Sequence, residues 1–320
     1  MEENKVRFAL VGAAGYIAPR HMKAIKDTGN ELVAAVDKYD GVGVIDSYFP
    51  GADFFVETER FDRHLDKLRR KGSRKIDYVS ICSPNYLHDA HIRMALRNEA
   101  HAICEKPLVL NPWNVDALKE IEEETERRIN VILQVRLHPS IIELKREIEN
   151  GPKDKIYDID LTYITCRGKW YFISWKGDVQ KSGGVATNIG IHFFDMLTWI
   201  FGDVNQNIIH YQDSRTSAGF LQLDRARVRW FMSLDEEVLP PAIRNKGQRT
   251  FRSITVEGKE IEFSGGFTDL HTESYVNILN NKGYNVDDAR KSIDIVFEIR
   301  NASPVGPKGD YHPFVKKVLG

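Results

Sequence analysis

Val6-Arg-Phe-Ala-Leu-Val11, followed at once by Gly12-Ala-Ala-Gly15-Tyr-Ile-Ala18, decides the fold. The first six residues are a short, mostly apolar run, the pattern of a strand covered on both faces. A helical pattern then runs through Pro19, Met22, Ala24 and Ile25. Strand, glycine turn and helix in that order predict a dinucleotide site. Gly12 permits the tight turn, Gly15 lets backbone approach a pyrophosphate, and Ala18 allows close helix–strand packing. The helix N-terminus would offer N–H donors to the phosphates. The spacing, Gly-x-x-Gly-x-x-Ala, is one residue longer than the usual fingerprint and also suits a plain tight turn. The next strand, Leu32–Val36, ends in Asp37, nineteen residues after Ala18. An acid there accepts from the adenosine ribose hydroxyls and repels a 2′-phosphate, which favours NAD over NADP.

Further strands are expected at Phe54–Val56, Ile76–Cys82, Ala102–Pro107 and Val131–Val135. Helices are expected between them, and residues 38–60 read as mostly loop. This alternation predicts an α/β fold with an N-terminal, doubly wound parallel sheet of Rossmann type. Ala102-Ile-Cys-Glu-Lys-Pro107 matters most, because Pro107 cannot continue a central strand. Lys106 therefore stands at a strand's carboxyl end, where open α/β sheets bind ligands. Ser83 and Asn85 follow the preceding strand in the same way and suit either a cofactor contact or a helix cap.

Past a helix at about Ser140–Asn150 the pattern changes. Tyr157–Thr165 alternates like a half-buried strand, and more strands follow at Ile208–Tyr211, Phe220–Leu223, Ala226–Leu234, Phe251–Glu257 and Lys259–Phe263. Val256-Glu-Gly-Lys-Glu260 reads as a hairpin turn. The expectation is a second α/β domain with a mostly antiparallel sheet. The division is 1–135 for the dinucleotide site and 136–320 for this second domain. Within the second part, Gly183-Gly184 precedes Asn188, His192 and Asp195, spaced i, i+4, i+7 on one expected helix face.

The net charge of −1 gives no overall pull toward nucleic acid or an anionic membrane. No apolar run reaches the roughly 20 residues of a spanning helix, and no signal peptide is expected. Cys82, Cys104 and Cys166 are few, scattered and in apolar contexts, which predicts reduced core thiols. No metal site is expected, because His192 and Asp195 lack further ligands.

Together these residues resemble the Gfo/Idh/MocA oxidoreductase family: the Gly12–Ala18 turn, Ser83-Pro84-Asn85 with His88, Glu105-Lys106-Pro107, and Gly183-Gly184 with His192 and Asp195. Longer strings are similar to a sugar-nucleotide branch of that family: Gly12–Arg20, Ile81–His88, Trp175–Asp178, Gly184–Gly190 and Gly266–His271. The resemblance implies NAD-dependent oxidation of the C3 hydroxyl of a UDP-linked N-acetylglucosaminuronate. It implies that 136–320 binds the substrate and oligomerises through an open face of its sheet, in a cytoplasmic homotetramer serving bacterial surface polysaccharide, with 2-oxoglutarate as a candidate for recycling NADH. The alternatives are a dehydrogenase of another sugar or inositol, and a non-catalytic NAD-binding regulator.

The implied cofactor contacts are Gly12, Gly15, Tyr16, Ile17, Asp37, Lys38, Ser83, Asn85, His88, Glu105, Lys106 and Trp175. The implied catalytic pair is Lys106 and His192. Many members of the family carry aspartate where this chain has Asn188, so the imidazole lacks a charged partner there. Lys106 beside cationic NAD⁺ is then the favoured base and His192 an orienting donor, with the reverse assignment still open. Arg167 and Lys176 suit a carboxylate or pyrophosphate, and Gln134, Arg136 and Asn188 complete the substrate-side set.

Overall fold

The computed structural model describes residues 5–72, 75–261 and 269–319. They form two units: residues 1–134 with 268–290, and residues 135–267 with 291–320. The return of 268–290 to the first unit was not foreseen.

The first unit holds a six-stranded sheet: β1 (Arg7–Val11), β2 (Glu31–Val36), β3 (Asp53–Phe55), β4 (Tyr78–Ile81), β5 (His101–Cys104) and β6 (Ile129–Val131). The order is β3-β2-β1-β4-β5-β6 and every pairing is parallel. This is the doubly wound order, with its switch between β1 and β4. The central strands are apolar along their length because helices cover both faces. Phe8, Leu10, Met22, Ile25 and Leu32 are fully or almost fully buried in one cluster with Tyr275 and Ile278. The last two come from the returning helix Leu270–Leu279.

Two local readings need correction. Residues 38–60 contain a short helix, Val42–Tyr48, that Gly41 and Gly43 disguised; Ile45 buries itself in the core cluster. β6 ends at Val131, not Val135. The Leu133 amide turns back to the Val131 carbonyl at 3.1 Å, and the chain then enters the 3₁₀ turn Gln134–Leu137. An apolar run does not reveal where an edge strand bends away.

The second unit's sheet comprises β7 (Tyr157–Thr165), β8 (Val204–Gln212), β9 (Thr216–Leu223), β10 (Ala226–Ser233), β11 (Thr250–Val256) and β12 (Lys259–Glu260), in the order β12-β11-β7-β10-β9-β8. β7 and β10 run parallel and the other pairs antiparallel, so the sheet is mixed but mostly antiparallel. Glu257 and Gly258 both take positive φ, 53° and 74°, as a two-residue hairpin turn of primed type requires. Residues 262–263 of the last expected strand, and 266–268 of the Gly266–His271 string, lie outside the described residues.

Alternation sends Trp230 of β10 to one face, against Phe194 of the helix Ile191–Phe201. Phe231 goes to the other face, against His312 and Phe314. The second face is therefore not open along its whole extent. Val238, Leu239, Phe314 and Val315 pack with Ile164, Ala218 and Phe231 over it. Toward the other end of β7 and β10 the same face carries Arg227, Arg229, Asp160 and Asp310 in ion pairs.

Candidate active site

In the first unit, the chain leaves β1 through Gly12 at φ +87°. The Gly12 amide donates to the Val36 carbonyl at 2.8 Å, and Gly15 donates back to Gly12 at 3.0 Å. A Cβ on Gly12 would lie 2.6 Å from the Cys82 carbonyl carbon, so only hydrogen fits. The bare backbone this leaves at the switch point is what a pyrophosphate needs, so the turn fits a dinucleotide. Asp37, just past β2, accepts from the Ala14 amide at 3.0 Å and from the Tyr39 amide at 2.9 Å. Each carboxylate oxygen keeps acceptor capacity for a ribose hydroxyl. Tyr16 and Lys38 are exposed, and Ile17 is half-buried beside the turn.

At the ends of β4 and β5, Ser83 and Asn85 are buried; the Ser83 hydroxyl lies 2.8 Å from His91 Nδ1. Burial holds His91 at about 4, so it is neutral at pH 7. His88 sits 1 % exposed between two strand-end loops, Nδ1 2.7 Å from the Pro107 carbonyl and Nε2 2.8 Å from the Ser83 carbonyl. The ring sits between those loops, and in its neutral form it donates to one of the two carbonyls. Burial lowers its pKa, and the two carbonyls oppose that shift.

Lys106 is half-buried just after β5. Its neighbour Glu105 is 6 % exposed, and one oxygen, Oε1, lies 3.0 Å from His21 Nε2 and 2.9 Å from His271 Nε2. Glu105 and His88, which the resemblance puts at the cofactor, thus direct their polar atoms at other protein groups. Two residues that sequence reasoning missed, His21 and His271, complete this cluster. Their ligand atoms and that of Glu105 lie within 4.8 Å of one another, a donor set no spacing rule foretold. Gln134 is half-buried at the end of this unit.

In the second unit, Gly183 and Gly184 take φ of +81° and +83° and lead into a π-helical turn, Ala186–Gly190. The α-helix Ile191–Phe201 follows. The wider turn breaks the single face expected for Asn188, His192 and Asp195. Asn188 donates to the Tyr171 hydroxyl at 2.6 Å, and His192 stands half-buried in the first turn of the α-helix. Asp195 instead points inward and binds Arg136 through two bonds, 2.6 and 3.0 Å. Arg136 is 5 % exposed, so its guanidinium anchors this helix and does not face solvent as a substrate-side group would.

Arg167 is exposed and Lys176 half-buried. Lys176 Nζ lies 5.2 Å from the Trp170 ring and 5.6 Å from the Trp175 ring. Burial, and then the Arg167 charge, lower its pKa. Lys176 against two aromatic faces, with the Arg167 charge near enough to act on it, suits an anionic group. Trp170 and Tyr171 were not singled out in the sequence, although both stand in the Arg167–Tyr171 stretch that leads to Trp175.

The chain matches two models of one family: an oxidoreductase-family NAD-binding Rossmann fold over residues 6–133, and its C-terminal alpha/beta domain over residues 145–235. Among solved structures, the WlbA (WbpB) dehydrogenase of Thermus thermophilus in complex with NAD and alpha-ketoglutarate is 50 % identical, with a TM-score of 0.93. The match covers 97 % of this chain and 99 % of that one. The same enzyme in complex with NAD and UDP-GlcNAcA is 49 % identical, with a TM-score of 0.92 and the same coverage. Inositol 2-dehydrogenase of Rhizobium meliloti is 27 % identical over 62 % of this chain and 56 % of its own. The chain spans about half the length of several curated relatives it matches. From the glycine turn to the paired glycines before His192, the chain belongs to the Gfo/Idh/MocA family of NAD-binding oxidoreductases.

Proposed function

We propose that this protein oxidises the C3 hydroxyl of UDP-N-acetylglucosaminuronate with NAD. The carrying observation is near-50 % identity, over almost the full length of both chains, to an enzyme solved with NAD and UDP-GlcNAcA. Bound NAD would supply the hydride acceptor. Gly12 and Gly15 would hold its phosphates and Asp37 its adenosine ribose, with Ser83 and Asn85 at the strand ends. Lys106 is the base for the C3 hydroxyl proton, and His192 is an orienting donor to the substrate. Asn188 is uncharged and bonded to Tyr171, so it steadies the turn before His192 without stabilising an imidazolium. Arg167 and Lys176 hold the uronate carboxylate or the pyrophosphate.

The reading extends to a cytoplasmic homotetramer working ahead of a transamination in surface-polysaccharide synthesis. The relative solved with NAD and alpha-ketoglutarate supports 2-oxoglutarate as the oxidant that recycles NADH. The test is NADH formation with UDP-N-acetylglucosaminuronate, UDP-N-acetylglucosamine, myo-inositol and glucose. Turnover should fall sharply without the carboxylate; equal turnover of the neutral analogue, or good turnover of free inositol, refutes the substrate. Lys106→Met should lose about 10²–10⁴-fold in rate, the usual contribution of an acid–base group. If the basic limb of the pH–rate profile survives in Lys106→Met but vanishes in His192→Asn, the two roles are exchanged.

A further inference from the structure

Five side chains in the first unit form one buried hydrogen-bonded line. Ser80 Oγ lies 2.6 Å from the Tyr275 hydroxyl, which lies 2.8 Å from His21 Nδ1. His21 Nε2 and His271 Nε2 then converge on Glu105 Oε1. None of the five is more than 6 % exposed.

The direction of each bond follows from donor capacity. A carboxylate only accepts, so both histidines donate through Nε2. Burial lowers the His21 pKa more than Glu105 raises it, so the ring is neutral and its Nδ1 accepts. Tyr275 must then donate to His21 and accept from Ser80. Burial alone would raise the Glu105 pKa, but the two histidine bonds outweigh it and hold the carboxyl ionised. The other oxygen, Oε2, accepts from the Lys106 backbone amide at 3.3 Å.

We propose that Glu105 is a positioning residue for the dehydrogenation, and that His21 and His271 clamp its carboxylate so that it fixes the backbone from which Lys106 projects. The clamp draws on separate pieces of chain: the glycine-turn helix for His21, β4 for Ser80, and the returning helix for His271 and Tyr275. It explains why an acid next to the candidate base is turned inward and away from solvent. It also gives the returning helix a part in the chemistry besides packing. The inference rests on the assignment of Lys106 as an acid–base group.

The test compares His271→Leu, which removes one donor, with His271→Gln, whose amide can donate to the same oxygen. Steady-state rates are measured with NAD and UDP-N-acetylglucosaminuronate, well below the unfolding temperature. His271→Leu should lower kcat at least tenfold while KM for NAD stays within about twofold, and His271→Gln should recover most of kcat. Amide hydrogen exchange over 104–108 should speed up in the leucine variant and return toward wild type in the glutamine variant. That readout needs no substrate, so a wrong substrate assignment, seen as an inactive wild type, does not disturb it. If His271→Leu fails to fold, Tyr275→Phe removes a single hydroxyl and should show the same split between kcat and KM on a smaller scale. Unchanged kcat in a folded leucine variant, or a KM for NAD that rises in step with the loss, overturns the proposal. So does stoichiometric zinc in the purified wild type that His271→Leu loses, since the three side chains would then be ligands.

Discussion

Replacing Asp195 by asparagine should destabilise the second unit by about 3–5 kcal/mol, the range for breaking a buried ion pair from one side. The structure gives the reason for the size. Asp195 is 1 % and Arg136 5 % exposed, and the guanidinium meets the carboxylate through two bonds of 2.6 and 3.0 Å. Asparagine keeps one acceptor but leaves a buried positive charge uncompensated. Trp199, whose ring lies 5.7 Å from the guanidinium, offsets only about 0.5–2 kcal/mol of that charge. At roughly 2–4 °C per kcal/mol for a unit of this size, the midpoint should fall by about 6–20 °C. Four of the five tryptophans lie in the second unit, so fluorescence during urea or thermal unfolding reports mainly on it. The double variant Arg136→Met/Asp195→Leu should be close to wild type or above it, because no charge is then left buried. An asparagine variant within 1 kcal/mol of wild type, or a double variant weaker than either single one, refutes this reasoning. The same double variant tests the sequence-based assignment of Arg136 to the substrate. A stable protein with unchanged KM for the sugar nucleotide assigns the arginine to anchoring alone.

His312 is buried against Thr162 Oγ1 at 2.9 Å, and burial takes its pKa to about 4 from an ordinary 6.5. The unfolded chain binds a proton between those values that the folded one refuses, so stability falls with pH across about 6.5 to 4. The loss should reach about 2 kcal/mol by pH 5; His312→Gln should flatten that part of a Tm–pH curve, and an unaltered slope argues against it. Asp37→Ser should weaken NAD roughly tenfold and narrow its lead over NADP, as loss of a charged acceptor predicts. Comparable binding of both cofactors to the wild type, measured by titration, would remove Asp37 from this role.

The first sheet was legible because its strands are mostly apolar runs that stop at glycine, aspartate, serine or proline. Val6–Val11, Leu32–Val36 and Ile76–Cys82 each fall within a residue or two of an observed strand. The candidate residues at strand ends followed from the same logic, since Lys106 needs only Pro107 to end β5. What stayed hidden depends on partners far away in sequence. His271 stands 250 residues after His21, and no periodicity announces that an amphipathic helix will return to an earlier sheet. Asp195 shared an expected face with His192, yet Arg136 drew it inward. The π-helical turn was invisible because a single inserted residue leaves the composition of a helix unchanged.

The return of residues 268–290 has a consequence for how the chain is made. A ribosome releases the six strands of the first unit long before it delivers the segment that completes them. At about 5–20 residues per second, the wait from residue 134 to residue 290 is on the order of 10 s. Throughout that interval Phe8 and its neighbours have no Tyr275 or Ile278 to cover them, and His21 and Glu105 lack a third partner. The nascent first unit must either persist in a partly finished state or be shielded by a holding factor while the second unit is translated. A fragment stopped near residue 135, although it carries the whole nucleotide fingerprint, is then the form of this protein most exposed to aggregation and proteolysis.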